Sequence, residues 1–69
     1  MTGIPRATVA RIIKSAGAER VGKDASEALA GLMEEYAASL AREAIKLSSH
    51  SGRRTIRASD IRMAADILK

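Results

Sequence analysis

Cysteine is absent from the 69 residues, His50 is the only histidine and Tyr36 is the only aromatic residue. Without cysteine the chain has no disulfide framework and no thiolate metal ligands, and one histidine cannot furnish a tetrahedral zinc site. We therefore expect no metal and no cofactor. The lack of cysteine also fits a reducing cytosol.

Long apolar runs are lacking as well. No stretch approaches the about 20 residues of a membrane-spanning helix, and residues 1–13 lack the layout of a signal peptide. At 46% hydrophobic and 29% charged residues, the chain is too apolar for a disordered protein and too charged for a membrane protein. We expect a cytoplasmic protein with no membrane partner.

The chain is also short. A folded monomer of this size buries only about 60% of the surface that its unfolded chain exposes. A thin core without a disulfide or metal to reinforce it predicts an obligate oligomer.

Charge is divided by segment, within a formal net charge of +4. Residues 1–23 carry a net +4, residues 24–52 a net −3 and residues 53–69 a net +3. The two basic ends, brought together in space, would form one positive face for a polyanion. Arginine outnumbers lysine eight to four, which favours phosphate because the guanidinium group binds phosphate bidentately.

Hydrophobic spacing predicts three helices, over about residues 5–16, 24–50 and 58–68. Pro5 is expected at the first helical position and Gly17 in the left-handed conformation that ends the first helix. Asp24 with Glu27 resembles a capping box at the start of the second helix. That helix would be about 40 Å long, and its apolar stripe is too wide for one small chain to cover. The fold class predicted is all-α: short helix, long helix, short helix.

Two motifs carry a family resemblance. Residues 11–21, RIIKSAGAERV, resemble the first helix and first loop of archaeal histones. Residues 43–47, EAIKL, then His50 and residues 52–56, GRRTI, resemble the end of their long helix and their second loop, and Ala58, Asp60 and Ile61 continue the match. The resemblance covers roughly residues 4–67 and implies the histone fold, in which two chains form an intertwined head-to-tail dimer. The partner would be a second copy or a paralogue.

The resemblance also implies double-stranded DNA as a partner, bound without strong sequence preference. Arg20 resembles the arginine that enters the minor groove and responds to its width and potential; this mechanism is borrowed from nucleosomal histones. Arg54 and Thr55 match a pair that contacts phosphate, and Arg11 and Lys14 match basic positions near the backbone. The alternatives are a surface ion pair with Glu19 for Arg20, and a merely solvated side chain for Lys14.

Further residues have structural or assembly roles in the family. Arg53 and Asp60 match an internal salt bridge that braces the second loop. Leu47 and His50 match the contact between dimers, in which His50 bonds Asp60 of the facing dimer; the alternative is an exposed helix-end histidine. Ser48, Ser49 and Ser51 lie around His50 where relatives often have alanine and a basic residue, which leaves the strength of that contact open.

The function predicted is wrapping and compaction of DNA as a chromosome-associated chromatin protein, without enzymatic activity or a small-molecule substrate. The alternative is a histone-fold component of a transcription or repair complex that pairs mainly with another protein. A triad of one of the serines with His50 and Asp60 has the right residue types for a nucleophile. Neighbouring positions at a helix end do not point a serine at the adjacent imidazole, so we reject this interpretation.

Overall fold

A computed structural model describes residues 3–69. It contains three helices, α1 (Arg6–Ser15), α2 (Lys23–His50) and α3 (Ala58–Ile67), and no strand within those residues. The predicted all-α order of short, long and short helix is confirmed. Each helix begins and ends within one residue of the predicted bounds.

The predicted position of Pro5 is wrong by one residue. Pro5 precedes α1 as its N-cap, with φ −61° and the extended ψ of 133°. Its carbonyl accepts hydrogen bonds from the N–H groups of Thr8 at 3.1 Å and Val9 at 3.2 Å. Proline is tolerated at the N-cap for the same reason as at the first helical position. Its φ suits both positions, and neither position needs to donate an N–H hydrogen bond within the helix.

The predicted capping box at the start of α2 is also wrong. The helix begins at Lys23, and the carbonyl of Gly22 accepts the first backbone hydrogen bonds, from Ala25 and Ser26. Asp24 therefore lies in the first turn, where a negative charge still favours the helix dipole. The carboxylate of Glu27 lies 3.0 Å from a guanidinium nitrogen of Arg6 in an ion pair.

Glycines with positive φ end both α1 and α2. Gly17 has φ +124°, and the N–H groups of Gly17 and Ala18 bond the carbonyls of Lys14 at 2.9 Å and Ile13 at 3.4 Å. This pair of bonds defines a Schellman motif. The expectation that Gly17 ends the first helix with a positive φ is confirmed.

The same motif ends α2. Gly52 has φ +73°, its N–H bonds the carbonyl of Ser49 at 3.0 Å, and the N–H of Arg53 bonds the carbonyl of Ser48 at 3.0 Å. The chain is thereby turned away from the helix axis at a defined residue. The segment from Ser51 to Arg57, which we call loop 2, starts from this fixed point; residues 16–22 form loop 1.

The described chain divides into two compact units, the first ending at Glu35 and the second comprising Tyr36–Lys69. Val9 is the buried apolar residue of the first unit, and Ala44 and Ala64 are those of the second. The large hydrophobic side chains within residues 3–69 are instead mostly exposed: Ile12, Leu32, Tyr36, Ile45, Ile56, Ile61, Met63, Ile67 and Leu68. A single chain therefore buries only a small apolar core.

Candidate nucleic-acid interface

The first unit carries three of the predicted DNA-contacting residues. Arg11 and Lys14 are exposed on α1, with Lys14 in its last turn, and Arg20 is exposed in loop 1. The Schellman motif at Gly17 fixes where loop 1 leaves the helix, which limits the positions that Arg20 can reach. Among the ion pairs formed within residues 3–69, none joins Arg20 to Glu19, and none involves Arg11 or Lys14.

The N-terminal segment of the first unit is tied to α2 at two points. The N–H of Gly3 donates to the Glu34 carboxylate at 3.0 Å, and Arg6 pairs with Glu27 at 3.0 Å. Ile4, Pro5 and Arg6 line one side of a groove whose other side is the α2 surface from Glu27 to Glu34. The sequence pattern gave no sign of these contacts. Arg6 is thus already paired with a carboxylate, which distinguishes it from Arg11, Lys14 and Arg20.

Loop 2 is braced by the ion pair between Arg53 and Asp60. The two terminal guanidinium nitrogens of Arg53 donate to the two carboxylate oxygens of Asp60, at 2.9 and 3.1 Å, and the backbone N–H of Arg57 donates to the same carboxylate at 2.8 Å. Asp60 is only 5% exposed, so its charge depends on these donors. The fork-to-fork geometry fixes the loop against the first turn of α3, at the positions where the resemblance implied a salt bridge.

The same contacts set the ionisation of the pair. Hydrogen bonds from the Arg53 side chain and then from the Arg57 backbone hold the pKa of Asp60 below its ordinary value, although burial acts in the opposite direction. The hydrogen bond to Asp60 raises the pKa of Arg53 above its ordinary value. Both groups are therefore charged at neutral pH, and the brace is intact there.

A second brace comes from Ser48, which is 2% exposed. Its hydroxyl donates to the carbonyl of Arg53 at 2.8 Å and lies 3.3 Å from the carbonyl of Thr55, which also accepts from the Arg53 guanidinium at 3.1 Å. In the sequence, Ser48 is grouped with the serines around His50. Its spacing of four residues from the buried Ala44 was the signal that this serine points inward.

The second unit presents the other two predicted DNA-contacting residues. Arg54 and Thr55 are exposed in loop 2, between Arg53 and Arg57, which both donate to Asp60. No ion pair within residues 3–69 involves Arg54, in contrast to the neighbouring Arg53. Adjacent arginines in one loop thus differ in environment: Arg53 is partly buried in an ion pair, and Arg54 is exposed to solvent.

The predicted contact between dimers involves the end of α2. His50 is exposed in the last turn, Leu47 is half-buried, and His50 lines a shallow open depression with Ile45, Lys46 and Ser49. Asp60, the predicted partner of this histidine in a facing dimer, already accepts hydrogen bonds at both carboxylate oxygens from its own chain.

Two residues of the rejected triad are engaged with other groups. The hydroxyl of Ser48 is directed at backbone carbonyls, and Asp60 is held by Arg53, so these groups do not form a triad with His50. Within residues 3–69 no cluster of three or more His, Cys, Asp or Glu side chains is placed to hold a metal. In that part of the chain, no helix has both the length and the apolarity required to cross a membrane.

Comparison with known proteins identifies the class. The family model described as histone-like transcription factor (CBF/NF-Y) and archaeal histone matches residues 2–65. One of the subunits of archaeal histone HAN1 from Thermococcus zilligii is 45% identical over 64 residues, which are 93% of this chain and 96% of that protein. Probable archaeal histone 3 of Methanocaldococcus jannaschii is 38% identical over 64 residues, with the same coverage of 93% and 96%.

The chain therefore belongs to the family of histone-like transcription factors and archaeal histones. Membership implies the histone fold, dimerisation and DNA binding.

Proposed function

We propose that this chain binds double-stranded DNA with little sequence preference, and wraps and compacts it as a chromosome-associated, cytoplasmic chromatin protein. Residues 1–69 act in this proposal as a single histone-fold domain. The observation that carries it is that each of the two loops between helices presents an exposed arginine, Arg20 in loop 1 and Arg54 in loop 2. The choice of DNA as the ligand rests on the family relationship.

The proposed functional unit is a head-to-tail dimer, formed with a second copy or a paralogue. The exposed large hydrophobic side chains on α2 and α3 support it, because a second chain is the surface that would cover them. Head-to-tail pairing places loop 1 of one chain beside loop 2 of its partner. The basic ends of both chains then form one continuous positive face.

In this arrangement the exposed basic residues contact different parts of the DNA. Arg20 enters the minor groove, where it responds to groove width and negative potential rather than to base identity. Arg54 and Thr55 of the partner chain contact the adjacent phosphates, and Arg11 and Lys14 lie along the backbone. Binding is therefore mainly electrostatic, and none of the helices has to present side chains to base edges in the major groove.

Assembly beyond the dimer is proposed to use Leu47 and His50. Leu47 provides apolar contact at the end of α2, and His50 approaches Asp60 of the facing dimer. Because Asp60 is already bonded to Arg53 and to the Arg57 N–H, the facing histidine must share an occupied carboxylate. This predicts a weaker contact than a free carboxylate would give.

Binding to a random-sequence duplex in a gel shift tests the proposal. The logarithm of the binding constant should fall linearly with the logarithm of salt concentration, by about 0.9 per phosphate neutralised. Arg20→Ala and Arg54→Ala should each weaken binding and make this slope shallower by about two per dimer, since each dimer loses two cations. Arg42→Ala removes the same charge from the acidic middle of the chain and serves as the matched control.

Two outcomes contradict the proposal. If Arg20→Ala and Arg54→Ala each bind and compact DNA like the parent, the DNA face is wrong. If the parent gives no retarded band even at low salt, the chain fits the alternative function of an interaction module in a transcription or repair complex. That alternative is kept because the family description includes histone-like transcription factors as well as archaeal histones.

A further inference from the structure

Ser48 lies in the last turns of α2, yet its hydroxyl is directed at loop 2. Its side chain is buried within the second unit, four residues after the buried Ala44. The single hydroxyl proton has two acceptors in reach, the carbonyl of Arg53 at 2.8 Å and that of Thr55 at 3.3 Å. The Ser48 hydroxyl therefore bonds the backbone of loop 2, whereas a helical serine often bonds a carbonyl of its own helix.

The two acceptors lie on either side of the exposed pair. The carbonyl of Arg53 belongs to the peptide group that precedes Arg54, and the carbonyl of Thr55 belongs to the peptide group that follows Thr55. Each peptide group is planar, so holding its carbonyl fixes the orientation of the whole unit. Only the short backbone between the two held groups carries the exposed side chains of Arg54 and Thr55.

We propose that Ser48 is a positioning residue for DNA binding, which holds loop 2 in the conformation that directs Arg54 and Thr55 to phosphate. The inference rests on the proposed DNA-binding function and deepens it. A loop that is ordered before binding loses less conformational entropy when DNA arrives, so the affinity per contact is higher. Arg53 pairs with Asp60 and also donates to the Thr55 carbonyl, whereas the Ser48 hydroxyl contacts the peptide groups on both sides of the contact residues.

The first test compares Ser48→Ala with Ser49→Ala, a substitution of the exposed serine next to it on the same helix. Affinity is measured on a short duplex that holds one dimer, at a temperature where circular dichroism shows both variants fully folded. Ser48→Ala should bind about three- to tenfold more weakly than the parent, the range expected from the loss of one buried hydrogen bond. Ser49→Ala should bind like the parent. A Ser48→Ala protein with lowered thermal stability but parental affinity would show a structural role alone and overturn the inference.

A double-mutant cycle then asks whether Ser48 acts through loop 2. The loss of affinity caused by Ser48→Ala should largely disappear in an Arg54→Ala background, because the side chain being positioned is gone. In an Arg20→Ala background the loss should remain at its full size, since Arg20 belongs to loop 1. Equal losses in the two backgrounds would contradict the positioning role.

NMR on the DNA-free protein separates this inference from the proposed function. The order parameters of the Arg54 and Thr55 amides should be lower in Ser48→Ala than in Ser49→Ala, and unchanged order parameters would overturn the inference. If Arg54→Ala weakens binding and Ser48→Ala does not, the inference alone fails. If neither the parent nor any variant binds duplex, the proposed function fails and the positioning role falls with it, whatever the order parameters show.

Discussion

At the scale of single residues, Asp60 determines how loop 2 is attached to α3. Its carboxylate is nearly inaccessible to solvent, and it accepts three hydrogen bonds, two from the Arg53 guanidinium and one from the Arg57 N–H. Removing its charge would leave the guanidinium without its partner in a partly buried site. Such a loss is more damaging than the loss of an exposed surface pair.

The stability of the protein should therefore fall in acid, with Asp60 as a contributor. Because the pKa of Asp60 is lower in the folded chain, its contribution is fully present above the unfolded value of about 4 and is lost as pH falls through the folded value. Asp60→Asn should lower the melting temperature by a constant amount at pH 5–8, and the difference from the parent should shrink below about pH 4.

Thermal melts at a series of pH values check this. Asp66→Asn is the control, since Asp66 forms only an exposed pair with Lys69 at 3.8 Å. An Asp60→Asn deficit that persists undiminished below the folded pKa would show that the side chain matters through its shape rather than its charge.

His50 provides a second prediction at the residue scale. His50→Ala should leave the dimer folded and able to bind DNA, because the side chain is exposed at the end of α2. It should shorten the length of DNA protected from nuclease toward the footprint of one dimer, if His50 contributes to the contact between dimers. Ser51→Ala, an exposed neighbour, is the control. Identical protection ladders for the parent and His50→Ala would leave this residue an exposed helix-end histidine.

At the scale of the elements, the glycines divide into those that the backbone needs and those that it does not. Gly52 has φ +73°, whereas Gly31 lies inside α2, and a Cβ at either position would meet no atom within 4 Å. Within the single chain the two positions therefore offer equal room for a Cβ and differ in backbone conformation. A substitution by alanine at each of them isolates that conformational effect from any steric clash.

Gly52→Ala should lower the free energy of unfolding by about 1–2 kcal/mol because alanine resists positive φ. Gly31→Ala should raise it by about 0.5–1 kcal/mol because alanine is the better helix former. Urea denaturation of the two variants measures both effects. A stabilised Gly52→Ala would contradict the Schellman motif at the end of α2.

The three helices were predictable because apolar spacing and two glycines mark them in the sequence. The residues that cap the helix starts were less predictable, since a proline suits the N-cap as well as the first turn and the Asp24–Glu27 spacing imitates a capping box. The Arg53–Asp60 pair was expected only through the family resemblance. Ser48 was missed because three nearby serines look alike until the buried Ala44 shows which helix face points inward.

At the scale of the whole molecule, the exposed apolar side chains predict dependence on a partner. The melting temperature should rise with protein concentration, since only the paired state covers these side chains. Leu32→Ser should weaken the dimer by about 1.5–3 kcal/mol per chain, because Leu32 is 61% exposed in the single chain and would be buried by a partner. Light scattering and concentration-dependent melts measure both.

Glu35→Gln, a polar substitution at an exposed position three residues along the same helix, is the control for Leu32→Ser. A folded species of 7.3 kDa in light scattering, with a melting temperature independent of concentration, would contradict the dimer. So would a Leu32→Ser protein as stable as the parent.

The exposed side chains of α2 and α3 also bear on how much of this protein a cell can hold. A chain that becomes folded only by meeting a second one folds by a second-order reaction, so dilute chains stay unpaired. Unpaired chains present Leu32, Met63 and Ile67 to proteases, which remove unfolded protein irreversibly. The folded amount should then rise more steeply than in proportion to synthesis, so that a low rate of translation yields almost none of it and a doubled rate more than doubles the folded pool.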